Sequence, residues 1–139
     1  MDTTQVTYAV AQLLHDAGVG VWSPTGTAYT SAQVGIFYGA LAAAPDRAIG
    51  VTVYSQDDDI LVTLQQRSVQ IRYRGAPGAP NGADILADAG FAALQGIYHV
   101  PGIARITRAF VSVLGPDTSG RQERTDNYLI VLDATEASS

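Results

Sequence analysis

The chain contains no cysteine and no lysine. Without thiols, neither a disulfide framework nor a thiolate-bound zinc is possible, and this usage suits a reducing compartment. All eight basic residues are arginines, set against thirteen acids, for a net charge of −5. Arginine without lysine most simply reflects a GC-rich genome. The acidic balance argues against a nucleic-acid binder, whose affinity rests on neutralising phosphates. Charge is scarce altogether: 15% of residues are charged and 47% hydrophobic, where about a quarter charged is usual. Disorder needs the opposite balance. Ala, Gly, Ser, Thr and Gln must therefore cover much of the surface, and these are easily buried again in a subunit contact. No apolar run approaches the roughly 18 residues of a membrane span. No charged-then-apolar leader opens the chain. Production in the cytoplasm with no membrane partner is expected.

The 139 residues suit a single domain, residues 1–139. Val6, Val10, Leu13, Leu14 and Ala17 fall at helical spacing and predict a helix from Thr3 to Ala17. Asp2 caps it with Gln5 as capping-box partner, and Gly18 stops it. Val19 to Trp22 and Val34 to Tyr38 read as short strands, and Ala48 to Tyr54 as a half-buried one. In Ser68 to Arg74, Val69, Ile71 and Tyr73 face one way and Gln70, Arg72 and Arg74 the other. A Gly/Ala/Pro loop, Gly75 to Pro80, leads to a second helix, Gly82 to Gln95, with Asn81 as its cap and Gly96 as its end. That helix is apolar around most of its circumference, which implies burial on more than one side. A hairpin closes the chain: Arg105 to Leu114 up, Gly115 to Gly120 turning, Gln122 to Leu132 returning, followed by a frayed tail from Ala134 to Ser139. The fold class is α+β, a mixed and mainly antiparallel sheet flanked by two main helices.

Chemistry-bearing motifs are few. The histidines, His15 and His99, have no partner motif, so a structural role for each outweighs a catalytic one. Asp57-Asp58-Asp59 lacks the alternating ligand spacing of a calcium loop and reads as a solvated acidic loop. The loop from Gly75 to Gly82 precedes a helix, where backbone amides could meet an anion, but it carries no lysine. Asp84 and Asp88 share one helix face and would suit acid–base work only inside a pocket. Arg121, Glu123, Arg124 and Asp126 alternate in sign along the last strand, which fits either a solvated edge or a charge-coded docking surface. No catalytic residue, cofactor site or metal site is assigned.

The ordered segments LLHDAGVGVWSP (Leu13 to Pro24), APDRAIGVTVY (Ala44 to Tyr54), VQIRYRG (Val69 to Gly75), ILADAGFAALQG (Ile85 to Gly96) and GPDTSGRQERTDNYLIVL (Gly115 to Leu132) cover most of the chain. In that order they resemble the tail-terminator family of long non-contractile-tailed bacteriophages, often labelled minor capsid proteins, of the kind common in phages of GC-rich actinobacteria. The resemblance implies a structural virion protein without enzymatic activity. It implies a homo-oligomer, usually a hexameric ring, that caps the finished tail tube at its head-proximal end. The implied partners are the major tail tube protein and a head-neck connector protein, with DNA passing through the lumen without specific binding. Under this reading Arg121, Glu123, Arg124 and Asp126 are interface candidates on a hairpin projecting beyond the sheet. Charge reversal of Arg121 and Arg124 should then spare the fold. Asp57, Asp58 and Asp59 are candidates for the lumen or rim, where an acidic wall repels phosphate. The alternatives are a phage neck or tail-completion protein of similar size, a small enzyme using Asp84 and Asp88, and an anion-binding module.

Overall fold

In the computed structural model, residues 1–58, 65–98 and 100–133 are described. The elements follow the order α1 (Thr3–Asp16), β1 (Val21–Trp22), β2 (Gly35–Tyr38), β3 (Ala48–Asp57), β4 (Gln66–Pro77), α2 (Gly82–Leu94), β5 (Ile103–Pro116) and β6 (Arg121–Leu132). One six-stranded sheet, ordered β1-β2-β3-β4-β6-β5, carries both helices against a single core. The β1–β2 and β2–β3 pairs are parallel and the others antiparallel. The fold is α+β, as the periodicity predicts. Asp59, His99 and the tail 134–139 lie outside the described residues.

Local chemistry accounts for the helix ends. The Asp2 carboxylate accepts the Gln5 backbone N–H at 2.8 Å, and the Gln5 side chain accepts the Asp2 N–H at 2.8 Å, the reciprocal capping box the sequence predicts. Gly18 follows with φ +76°, a left-handed stop that glycine adopts without strain. α2 begins differently from expectation. Asn81 has φ −105° and ψ 15° and makes no side-chain cap bond. A capping side chain needs an extended backbone behind it. Asn81 instead enters from the tight turn closed by Gly82 N–H to Ala79 O at 3.1 Å, so only its carbonyl serves the helix, accepting from Ile85 at 3.0 Å.

The core alternates as a half-covered sheet requires. Ile49 and Val51 of β3, Val69, Ile71 and Tyr73 of β4, and Tyr128 and Ile130 of β6 are buried, facing Val6, Val10 and Leu14 of α1 and Leu86 and Leu94 of α2. Arg74 departs from its predicted outward position, being 5% exposed. Its guanidinium reaches the carbonyls of Asp46 at 2.8 Å, Ala42 at 2.7 Å and Pro45 at 2.8 Å. Burial, then the neighbouring Arg121 charge, pushes its pKa down. α2 is not buried on two sides within the chain: Ala83, Leu86, Ala87, Gly90 and Leu94 face inward, while Ile85, Ala89 and Ala92 are exposed.

Two glycines set the distance between α2 and the sheet. A Cβ on Gly75 would stand 2.6 Å from the Gly82 backbone, so these residues permit a close crossing of the loop over the helix start. A Cβ on Gly90 would overlap the Tyr73 hydroxyl, which is buried without a hydrogen-bond partner. Burial, then the nearby Tyr128 and Asp126, raises the Tyr73 pKa well above its ordinary value. Gly90→Ala is therefore expected to destabilise the fold by about 1–3 kcal/mol through overpacking. Tyr73→Phe, which removes an unsatisfied buried hydroxyl, is expected to be neutral or stabilising and to recover part of the Gly90→Ala loss. Thermal melts of the two single variants and the double variant measure this; additive losses would show that the hydroxyl is not what crowds the helix.

Candidate functional site

β6 is a central strand along its whole length. It pairs with β4 from Gln66↔Val131 to Pro77↔Arg121 and with β5 from Ile103↔Leu132 to Pro116↔Gln122. At the turn, the Gly78 N–H donates to Gly120 O at 3.2 Å. The hairpin therefore does not project beyond the sheet: the β4 end and its loop reach as far as the turn and are tied to it.

The charged residues of the hairpin point to different places from those expected. Period two carries the buried face of β6 from Ile130 and Tyr128 back to Asp126 and Arg124, which are 0% and 9% exposed. The Asp126 carboxylate accepts Arg124 Nε at 2.7 Å and Nη2 at 3.2 Å, and Arg108 Nη1 of β5 at 3.3 Å. Arg124 Nη1 continues to α2, at 3.1 Å from Asp84 Oδ1 and 3.6 Å from Asp88 Oδ1. Burial works against the Arg124 charge, but hydrogen bonds to Asp126 and Asp84 outweigh it and hold its pKa above the ordinary value. Arg108 also lies over the Phe91 ring of α2, 4.0 Å from its centroid. Together these residues make an ion-pair cluster between sheet and helix.

Arg121 and Glu123 also serve the chain internally. Arg121 Nε bonds Asp117 at 2.8 Å, and Nη1 reaches Ala43 O at 2.8 Å and Asp46 at 3.2 Å. The Asp117 carboxylate accepts the backbone N–H groups of Arg121 and Ser119 at 2.9 Å each, which holds it below the usual carboxylate range. Glu123 pairs with Arg72 at 2.7 Å. Of the lumen or rim candidates, Asp57 is exposed and Asp58 lies 2.6 Å from the buried Arg67, so the acidic run is not wholly a solvated loop.

The settings of the catalytic alternatives are open. Asp84 and Asp88 expose 56% and 75% of their side chains and share Arg124, so they are not enclosed in a pocket. A depression of about 500 Å³ near β1 and β2 is lined by Tyr8, Trp22, Tyr29, Phe37 and Tyr38, with no carboxylate, histidine or arginine among the described residues that line it. His15 is in a structural role, its Nδ1 accepting the Trp22 backbone N–H at 3.1 Å. Apart from Ile85 of α2 and Tyr98, the exposed large apolar side chains among the described residues gather at the two ends of the sheet. Phe110, Val111, Val113 and Leu114 lie on β5, and Tyr8, Tyr38 and Tyr54 lie at the other end. Sequence periodicity missed this segregation because strand order decides it.

These features define a small structural subunit whose polar groups serve its own framework and most of whose exposed large apolar side chains lie at the margins of its sheet. Residues 13–134 match the family described as bacteriophage tail terminator protein, and the chain belongs to that family, a structural protein of the phage tail. A comparison with curated protein sequences returns no match. Among solved structures, a chain of a "Virion of native gene transfer agent (GTA) particle" superposes with a TM-score of 0.60 over 94% of each chain, at 16% identity, a likeness of fold.

Removing Arg124 should damage the fold instead of sparing it. Arg124→Ala leaves a fully buried carboxylate with Arg108 alone, and breaking such a buried pair costs on the order of 3–5 kcal/mol. A fall in melting temperature of about 10 °C or more is expected for a domain of this size. A variant melting within 2–3 °C of the parent, in the range of roughly 1 kcal/mol expected for a surface pair, would show that the cluster is peripheral.

Proposed function

We propose that the protein caps the completed tail tube as a homo-oligomeric ring, six-fold in the usual arrangement of such tails, and joins the tube to the neck of the head. The family match over residues 13–134 carries this reading. The virion component of the same fold supports it, as does the concentration of exposed apolar side chains at the two margins of one sheet. A ring subunit needs two different contact surfaces, because head-to-tail contacts between identical copies close into rings. The partners are then the major tail tube protein below and a head-neck connector protein above, at the head-proximal end of the tail. DNA passes through the lumen, with Asp57, Asp58 and Asp59 as lumen or rim residues repelling phosphate. The protein acts without catalysis, consistent with the exposed, arginine-paired setting of Asp84 and Asp88.

The hairpin retains a place in this reading as a rigid support. Its charged residues brace the sheet and α2, and its exposed side is β5. The whole chain, residues 1–139, works as one domain. A neck or tail-completion protein is the competing assignment within the phage particle.

The test is a phage lacking this gene. Tails of uncontrolled length that fail to join heads are expected by electron microscopy, with normal length restored by the protein supplied in trans. Normal-length tails in the deletion, accompanied by heads that lose DNA, would assign the protein to the neck instead. For the acidic residues, Asp57→Asn is expected to leave the melting temperature nearly unchanged. Asp58→Asn is expected to lower stability by about 1 kcal/mol, because the half-exposed pair with buried Arg67 is screened by solvent. Unfolding of the Asp57 variant would make that residue structural.

A further inference from the structure

Two rows of the sheet lead from one margin to the other. Trp22 pairs with Ile36, Ile36 with Ile49, Ile49 with Tyr73, Tyr73 with Arg124 and Arg124 with Val113, so Trp22 and Val113 end one row through all six strands. The row of Tyr38, Val51, Ile71, Asp126 and Val111 lies two residues along, on the same face. That face bears the helices, since Ile36, Ile49, Ile71 and Tyr73 are buried in the core.

Both ends of these rows are apolar and uncharged. At one end, the depression of about 500 Å³ lies where β1 stops at Trp22 and β2 continues to Tyr38. At the other, Val111 and Val113 are 40% and 78% exposed, with Phe110 and Leu114 beside them on β5. The segment from Gln95 to Ile97 bonds the β5 backbone at Ile106 and Arg108; from Phe110 onward, the β5 backbone bonds only within its own hairpin among the described residues. Residues 109–116 contain no charged side chain. Aromatic and aliphatic side chains without charge are the composition of an interface core, and burying them desolvates no ion.

We infer that the ledge from Phe110 to Leu114 of one copy seats in the aromatic depression of the next, with Val111 and Val113 entering between Tyr8, Trp22 and Tyr38. This deepens the ring reading and rests on it. The occupant is a second copy because ledge and hollow stand in the same rows at opposite ends of one sheet. A sideways displacement by one sheet width brings them to the same height, and such a head-to-tail contact can close into a ring. A twofold ledge-to-ledge contact would bring Asp84 and Asp88, which share Arg124 beside Val113, towards their own copies. A twofold contact between two hollows would leave voids. The four ledge side chains expose on the order of 400 Å², about half of what one side of a stable pair buries. A lone pair is therefore weak, and the closed ring, in which every copy makes the contact twice, is the stable form.

The absence of cysteine makes cross-linking a direct test. Val111→Cys combined with Tyr38→Cys, at the two ends of one row, is supplied to a phage lacking the gene, and its purified tails are treated with a short bismaleimide. A ladder of covalent oligomers ending at the ring size is expected, and none from either single-cysteine variant. Dimers from a single variant would establish a twofold contact and overturn the inference. Protein present on the tails with no ladder from the double variant would also overturn it. Val113→Asp, which carries a charge into the hollow, provides an independent readout. It should keep the parent melting temperature, as exposed substitutions do, and lower incorporation into tails by about tenfold or more. Full incorporation of this variant would overturn the inference. Lost incorporation together with no ladder from the cysteine pair would assign β5 to the tube or the neck instead. Absence of the protein from tails altogether would remove the terminator reading separately. The cross-link is then read in concentrated free protein, where a ladder leaves the contact standing and monomers overturn it.

Discussion

The structure depends on neutralising one carboxylate. Asp126 sits in the central strand with no solvent exposure, and an unpaired charge there would be prohibitive. Two guanidiniums neutralise it, Arg124 from the same strand and Arg108 from the adjacent one. Because Arg124 also reaches Asp84 and Asp88, the same arrangement fixes how α2 lies over the sheet. Buried ion pairs contribute less to stability than their geometry suggests, since desolvation offsets most of the attraction. Their effect here is positional: shifting α2 along the sheet would strand a charge.

The lysine-free composition acquires a structural meaning in this setting. Arg74 holds three carbonyls of the segment before β3, Arg121 a fourth in the same segment, Arg47 the Ala32 carbonyl, and Arg67 those of Met1 and Gln66. Several donors in a fixed planar fork can bind separated carbonyls at once, whereas an ammonium presents its donors from a single point. Genome composition accounts for a preference for arginine; these contacts explain why lysine would not substitute freely at Arg74 or Arg121. They also remove much of the cationic surface that would otherwise accompany eight arginines.

Much of the framework was legible from local patterns. The Asp2 and Gln5 capping box, the Gly18 stop, the alternation of Val69, Ile71 and Tyr73, and the closing hairpin all follow from short-range rules, and they were observed. The Arg124–Asp126 cluster was readable but misread. Tyr128 and Ile130 are in the core, and the same period of two puts Asp126 and Arg124 on that face. Alternating charge suggested a solvated edge because strand order was unknown. Asp84 and Asp88, spaced four apart on a helix, were the complementary signal. The outer end of β3 was missed for another reason: Ser55, Gln56 and Asp57 are exposed, so only pairing with β4 makes them strand. Which strand lies at the margin, and hence where Phe110 and Val113 face water, follows from topology and could not be derived from periodicity.

A subunit with an exposed apolar strand must remain soluble before it assembles. β5 is 14 residues long with four large exposed apolar side chains, which is an aggregation hazard for a monomer. Irregularities interrupt its register with β6 between Ile103 and Arg105, Arg108 and Phe110, and Val113 and Gly115. Bulges twist a strand and break the even spacing of its backbone groups, and the Ile106 and Arg108 groups are already bonded to Gln95, Gly96 and Ile97, so a flat, arbitrary strand is a poor match. The irregularities thus guard the exposed strand against indiscriminate strand addition. The same framework recurs at 16% identity in a virion chain, which indicates that the layout of strands and margins tolerates extensive change in the side chains that fill it.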